Sequence, residues 1–258
     1  MPDAARATVN QAAASLQFVA RARRAMEATG LRPCNVGEVS IVLFDTVAWG
    51  ELEPDAYRLL DANERRRAAR FRFERDRCTY VLAHAMWRVV LGISLDAPPG
   101  EVPLHFLPTG QPHLPGTRFT TSLSHSGPVV LIAVGLVGAL GIDVERWPSR
   151  VSMDALLQVI CSPEERGPLG ALPPDQRERE LLQLWTRKEA LLKAWGTGLE
   201  QAPASFWSPP GGISVPPQGL IGVPCKAIDL TLAEGHLGAL AVSLDVARYR
   251  LYTVARNA

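Results

Sequence analysis

A mixed helix-and-strand fold in two halves of similar topology is what this 258-residue sequence predicts. The main observation is element order: a strand-like stretch, long helical stretches and further strands occur once up to residue 138 and again from residue 139. Size agrees, because a chain of this length can bury one large core or two modest ones. Composition agrees as well, with 47% hydrophobic and 21% charged residues, the proportions of an ordinary globular protein. No residue-level repeat accompanies the repeated order. The expected organisation is an N-terminal extension over residues 1–36, disordered or helical, a first half over 37–138 and a second half over 139–258.

Residues 1–36 are rich in Ala and Arg and end in the breaker cluster GLRPCNVG. EVSIVLFDTV, from Glu38 to Val47, has the β-branched and aromatic content of a strand. GELEPDAYRLL follows, with Pro54 suited to a first helical turn. Asp61 with Glu64 three residues on is a helix-start signature, and the pattern continues as an amphipathic helix ending near Gly92. VPLHFLP, the turn TGQPHLPG, TRFTTSLSHSG and the apolar strand PVVLIAVGL complete the first half. In the second half GALGIDVERW reads as a strand, SMDALLQVI and RERELLQLWTRKEALLKAWG as helices, and CKAIDLTLA, LGALAVSLD and RYRLYTVAR as three strands. Residues 202–224, rich in Pro and Gly, read as a loop.

A net charge of +1 gives no bulk attraction to nucleic acid or anionic membrane. The longest apolar run, from Val129 to Ile142, is too short and too rich in glycine for a membrane span. Four scattered cysteines without C-x-x-C spacing suggest neither a disulfide framework nor a zinc site. The N-terminus lacks the order of a signal peptide, so a cytoplasmic protein is expected. Only three of the 27 basic residues are lysines, and two of them, Lys188 and Lys193, lie five residues apart. A lysine kept against an arginine bias suggests a compact ammonium is needed, although codon usage alone could produce the bias.

Asp143 and Glu145 alternate with Ile142 and Val144 on a strand, so both carboxylates share one face. Two such acids repel unless they meet a cation, and hard oxygen ligands suit Mg²⁺; the alternative is a solvated strand end with Arg146 as partner. Trp185, Glu189 and Lys193 are spaced i, i+4, i+8 on one helix face, with Lys188 on its flank. That spacing fits an exposed Glu-to-Lys pair, but it also fits a third acid completing a metal site beside a lysine for phosphate oxygens. Gly196 to Gly198 then end the helix. SLSHS, from Ser122 to Ser126, offers hydroxyls and one imidazole, and no G-x-S-x-G elbow accompanies it to suggest a hydrolase. Glu64 to Arg77 carries seven arginines, either a solvated helical face or a polyanion contact; nucleic acid is disfavoured by the absence of a basic net charge.

GIDVE, residues 141–145, and WTRKEALLKAWGTG, residues 185–198, resemble the two signatures of the 4'-phosphopantetheinyl transferases, G-[IV]-D-[IVL]-E and [FW]-[SCT]-x-K-E-[AS]-x-x-K-x-x-G-x-G. Their order and separation also fit, SLSHS is similar to the family's S-H-S, and TGQP, Thr109 to Pro112, stands where the family has a G-[KR]-P turn. The resemblance covers most of Val39 to Leu251 and is to the two-halved, surfactin-synthetase-activating type. It implies an α+β fold of two pseudo-symmetric halves with the active site in the cleft between them, acting as a monomer.

The implied activity is transfer of the 4'-phosphopantetheine arm of coenzyme A to a serine of an apo acyl or peptidyl carrier protein of polyketide, nonribosomal-peptide or fatty-acid synthases. Adenosine 3',5'-bisphosphate is released. The partner implied is an acidic helical carrier protein, with neither nucleic acid nor membrane involved. The resemblance implies Mg²⁺, with Mn²⁺ as a substitute, held by Asp143, Glu145 and Glu189, with Lys193 and Lys188 steadying phosphate charge and Glu189 as base. It assigns Ser124, His125, Gly110, Gln111 and Pro112 to the coenzyme A nucleotide, and Arg67, Arg70 and Arg77 to its 3'-phosphate. Gln111 departs from the family's basic residue, which implies weaker coenzyme A binding. Two rival readings are another Mg²⁺-dependent phosphoryl-transfer enzyme, such as a nuclease, and a coenzyme A-binding protein without catalysis.

Overall fold

The computed structural model describes residues 17–233 and 235–255. The expectation for residues 1–16 lies outside them. Residues 17–29 form a first helix, α1, whose Phe18, Ala22, Ala25 and Met26 are buried in the core beside β1 (Glu38–Asp45). Their helical spacing makes this part of the extension a component of the first core.

Short helices α2 (Glu53–Tyr57) and α3 (Ala62–Ala68) lead into the long α4 (Glu74–Leu95). The capping box expected at Asp61 forms: Asp61 accepts from the backbone of Asn63 and Glu64, and Glu64 accepts from Asp61 N at 2.8 Å. The single helix expected from there to Gly92 is instead broken at residues 69–73, and α4 ends at Leu95 with Asp96 in the left-handed region at φ 51°. By length and composition α4 could cross a membrane, yet 83% of its most apolar window is buried inside the protein. It is therefore a core helix apolar on most sides, where the sequence pattern suggests an amphipathic one.

The small ribbon β2 (His105–Phe106) and β3 (Pro112–His113) precedes β4 (Thr120–Ser126) and β5 (Val129–Gly135). β6 (Leu140–Arg146) opens the second run, followed by α5 (Leu157–Ile160), α6 (Pro163–Gly170) and α7 (Pro174–Trp195). Strands β7 (Ile213–Ser214), β8 (Cys225–Leu230), β9 (His236–Ser243) and β10 (Arg248–Thr253) complete it. Two four-stranded sheets result, in the orders β10-β1-β5-β4 and β6-β9-β8-β7. Strand β10 thus leaves the second run and pairs in parallel with β1, Glu38 opposite Arg248 through Leu43 opposite Thr253. Alternation within a strand shows which face is apolar but carries no information about which neighbour it joins.

Side chains of β1 and β5 serve two cores. Val42, Phe44, Val130 and Ile132 face α4, while Val39, Ile41, Leu131 and Ala133 pack with Ile142 and Val144 of β6 and Leu240 and Val242 of β9. Burial on both faces explains why these strands read as continuous apolar runs. On the far side of the second sheet, Ala190, Leu191 and Ala194 of α7 pack against Ala227, Ala239 and Ala241.

Candidate active site

The site begins with the contact of β6 on α7. A Cβ placed on Gly141 would lie 1.9 Å from Ala190 O and 2.6 Å from Ala194 N, so only glycine lets the strand reach the helix backbone. Two residues further on, Asp143 is buried at 4% exposure and receives Lys193 Nζ on Oδ1 at 2.7 Å. Lys193 Nζ also donates to Ile142 O at 3.1 Å. The period-2 spacing of the acids and the i, i+4, i+8 spacing on α7 therefore meet across one interface.

A seam of hydroxyls from β4 holds the acids from the other side. Ser122 Oγ accepts from Ile142 N at 3.1 Å, and Ser124 Oγ donates to Asp143 Oδ1 at 2.7 Å. Ser126 Oγ donates to Glu145 Oε2 at 3.1 Å and accepts from Arg146 N at 3.0 Å. Alternate serines on one face of β4 thus bind β6, which lies at the edge of the other sheet. The exposed strand end with Arg146 as partner is thereby ruled out for Asp143, whose partners are Lys193 and Ser124.

The electrostatics carry an excess of negative charge. Burial, then the charge of Asp143, push the Glu189 carboxyl up to about 7 against the opposing pull of Lys193. Burial and Asp143 also raise Glu145, with hydrogen bonds from Ser126 and Trp185 opposing. Asp143 Oδ2 and Glu189 Oε1 are buried without any hydrogen-bond partner. Three carboxylates facing one ammonium, two of them with orphaned oxygens, form a donor set suited to a hard divalent cation. Among the described residues no three acidic, His or Cys side chains are already gathered as a ligand shell. The ammonium of Lys193 already sits on Asp143, so the residues fit the ion chemically without being closed around it.

Beside the acids opens a cavity of about 340 Å³. Lys193, Ser124 and His125 form its polar side; Gly110, Gln111 and Pro112 from the ribbon turn, and Arg67 from α3, also line it. Burial, then the charge of Lys193, lower His125. Gly196 closes α7 in the left-handed conformation at φ 72°, and Gln111 lies against it so closely that a Cβ there would be 2.2 Å from Oε1.

Most predicted nucleotide-side residues therefore share one cavity, with three placed elsewhere. Arg70 is not part of its lining. Arg77 turns away to Glu53 at 2.7 Å and Glu74 at 2.6 Å. Lys188, expected to hold phosphate, is fully buried and donates to Glu165 Oε2 at 2.5 Å and to the carbonyls of Ile160, Pro203 and Phe206. With every donor occupied and no exposed surface, it has no reach to the cavity.

Sequence reasoning missed the aromatic wall. Tyr80, His84 and Trp87 line the cavity from α4 and Phe106 from β2. Tyr80 and His84 stack with ring centroids 4.1 Å apart, and the Arg67 guanidinium lies 5.7 Å from the Tyr80 ring centroid. Behind the wall, Glu64 receives His84 Nδ1 at 2.9 Å and Arg88 Nε at 2.8 Å. Burial pushes the Glu64 carboxyl up, but His84 and Arg88 outweigh it and hold it below the usual range. The i, i+4, i+7 spacing of Tyr80, His84 and Trp87 was present as a signal, though it equally describes a core stripe.

Comparison with known proteins agrees with the motifs. Residues 139–220 match the model of the 4'-phosphopantetheinyl transferase superfamily. The 4'-phosphopantetheinyl transferase HetI of Nostoc sp. is 34% identical over 145 residues, 54% of this chain and 61% of that protein. A phosphopantetheinyl transferase of Thraustochytrium sp. is 28% identical over 155 residues, 54% of each chain. A 4'-phosphopantetheinyl transferase of Bacillus subtilis is 26% identical over 149 residues, 57% of this chain and 65% of that protein. The chain thus spans less than two thirds of the length of each of these relatives. Both signatures are brought together in space, and over residues 139–220 the chain is similar to the 4'-phosphopantetheinyl transferase superfamily.

Proposed function

We propose that this protein transfers the 4'-phosphopantetheine arm of coenzyme A to a serine hydroxyl of an apo acyl or peptidyl carrier protein, leaving adenosine 3',5'-bisphosphate. The observation that carries the reading is Lys193, which pairs with the buried Asp143 among three carboxylates and itself lines the cavity beside them. A cation held by Asp143, Glu145 and Glu189, Mg²⁺ or in its place Mn²⁺, would supply charge neutralisation at the pyrophosphate. Lys193 presents an ammonium to the leaving phosphate. Glu189, between the acids of β6 and Lys193, takes the proton of the carrier serine. His125 and Arg67 bind phosphate oxygens, and the aromatic wall excludes water on the opposite side.

The two sheets are, in this reading, pseudo-symmetric halves of one monomer with the active site in the cleft between them. Supporting it, β1, β4 and β5 lie in the order first, third, second, and β6, β8 and β9 repeat that order, with α4 and α7 as the matching connections. The test is incubation with coenzyme A, Mg²⁺ and a panel of apo carrier proteins from fatty-acid, polyketide and peptide synthases, read by intact mass. A gain of one phosphopantetheine on any carrier, lost at least a hundredfold in rate in Glu189→Gln, is the expected result. No gain on the whole panel would overturn the assignment.

A further inference from the structure

One side chain belongs to both the acidic cluster and the cavity. Lys193 Nζ pairs with Asp143 Oδ1 at 2.7 Å, and the same side chain, 28% exposed, lines the cavity wall. Ser124 is shared in the same way, donating to Asp143 Oδ1 while lining the cavity. Among the described residues the Lys193 pair is the only ion pair made by Asp143, Glu145 or Glu189. One ammonium therefore stands where both a cation at the acids and an anion in the cavity have a claim: the cation is repelled by it and the anion attracts it.

We propose that Lys193 makes the binding of an anion in the cavity and of a divalent cation at the acids mutually dependent. In the empty protein Lys193 is the counter-ion of Asp143 and weakens cation binding. A phosphate-bearing ligand draws the ammonium toward the cavity, leaving Asp143 and the orphaned oxygen of Glu189 uncompensated, and the divalent cation binds more tightly. Linkage makes the effect reciprocal, so the cation strengthens anion binding by the same factor. This inference rests on the reading that the three acids hold a cation.

The test is calorimetric titration of the full chain with Mn²⁺, alone and with saturating adenosine 3',5'-bisphosphate, with no turnover involved. The wild-type protein should bind Mn²⁺ roughly tenfold more tightly with the nucleotide present, within the range usual for coupled sites. Lys193→Met should bind Mn²⁺ alone roughly tenfold more tightly than wild type and gain little from the nucleotide, whereas Lys193→Arg keeps the wild-type weakness. Thermal unfolding verifies that the variants are folded, and Lys193→Gln makes the same measurement if Lys193→Met does not fold. Mn²⁺ binding by the neutral variant that is equal to or weaker than wild type overturns the coupling. So does a nucleotide effect as large in the variant as in wild type, since that would be chelation by the nucleotide's own phosphates. Absence of Mn²⁺ binding to wild type under both conditions instead removes the cation site, and the coupling with it.

Discussion

Lys188 and Lys193 sit five residues apart on α7 and meet opposite surroundings. Lys188 is sealed from solvent and gives its hydrogens to Glu165 and three carbonyls; Glu165 in turn accepts from Ser162 N and Ser208 N. Charge is matched one to one there, and each oxygen of Glu165 has a partner. Around Lys193 the acids outnumber the ammonium, and Asp143 and Glu189 each keep an unpartnered oxygen. Saturation on one side and surplus on the other separate a lysine whose partners are complete from one outnumbered by its acids.

The sharpest way to break this contrast is at the saturated end. Lys188→Met leaves Glu165 a buried, unpaired carboxylate and strands three carbonyls, a loss of ~3–5 kcal/mol of folding stability by the usual cost of a severed buried pair. Urea unfolding measures it, and Lys188→Met combined with Glu165→Gln should recover part of the loss. A Lys188→Met protein as stable as wild type would remove the structural role assigned to this lysine.

A smaller effect tests the surplus end. The folded protein holds the Glu189 proton up to about 7, whereas an ordinary glutamate carboxyl titrates at 4.5. The native state therefore binds the proton more tightly than the unfolded chain, so stability from this group is full below the unfolded value and is lost as pH rises through the folded one. In Glu189→Gln that loss disappears, flattening the stability profile between these limits by on the order of 1–2 kcal/mol after allowance for solvent screening. Unfolding with a chelator present at several pH values reads it; an unchanged slope assigns the titration elsewhere.

The smallest expected change lies at the rim. Gln111→Lys adds a cation to the cavity beside Gly196, and coenzyme A binding should tighten about threefold at low salt and lose the gain at high salt. Fluorescence titration at two ionic strengths checks this, and no change would mean that position 111 does not face phosphate.

Local periodicity made the acidic face readable in the sequence. Alternation placed Asp143 and Glu145 together, helical spacing placed Trp185, Glu189 and Lys193 together, and Asp61 with Glu64 marked a helix start that forms. What escaped depends on distant pairing. Lys188 looks like a surface lysine beside Glu189 until Glu165, 23 residues away, is folded against it. The serine seam joins residues about twenty positions apart through side chains, with no backbone ladder between β4 and β6 to announce it. Tyr80, His84 and Trp87 read as core because an aromatic stripe has the same spacing whether it meets another helix or a cavity.

The parallel pairing of β1 with β10 bears on how the protein is made. Strand β1 emerges from the ribosome early, but its outer edge stays unpaired while some two hundred intervening residues are synthesised, as its register partners Glu38 and Arg248 show. Throughout that interval a nascent chain presents an open apolar edge able to pair with a neighbouring chain, the hazard carried by any exposed strand. Strand β10 therefore also seals that edge, and productive synthesis depends on keeping nascent chains apart until it arrives.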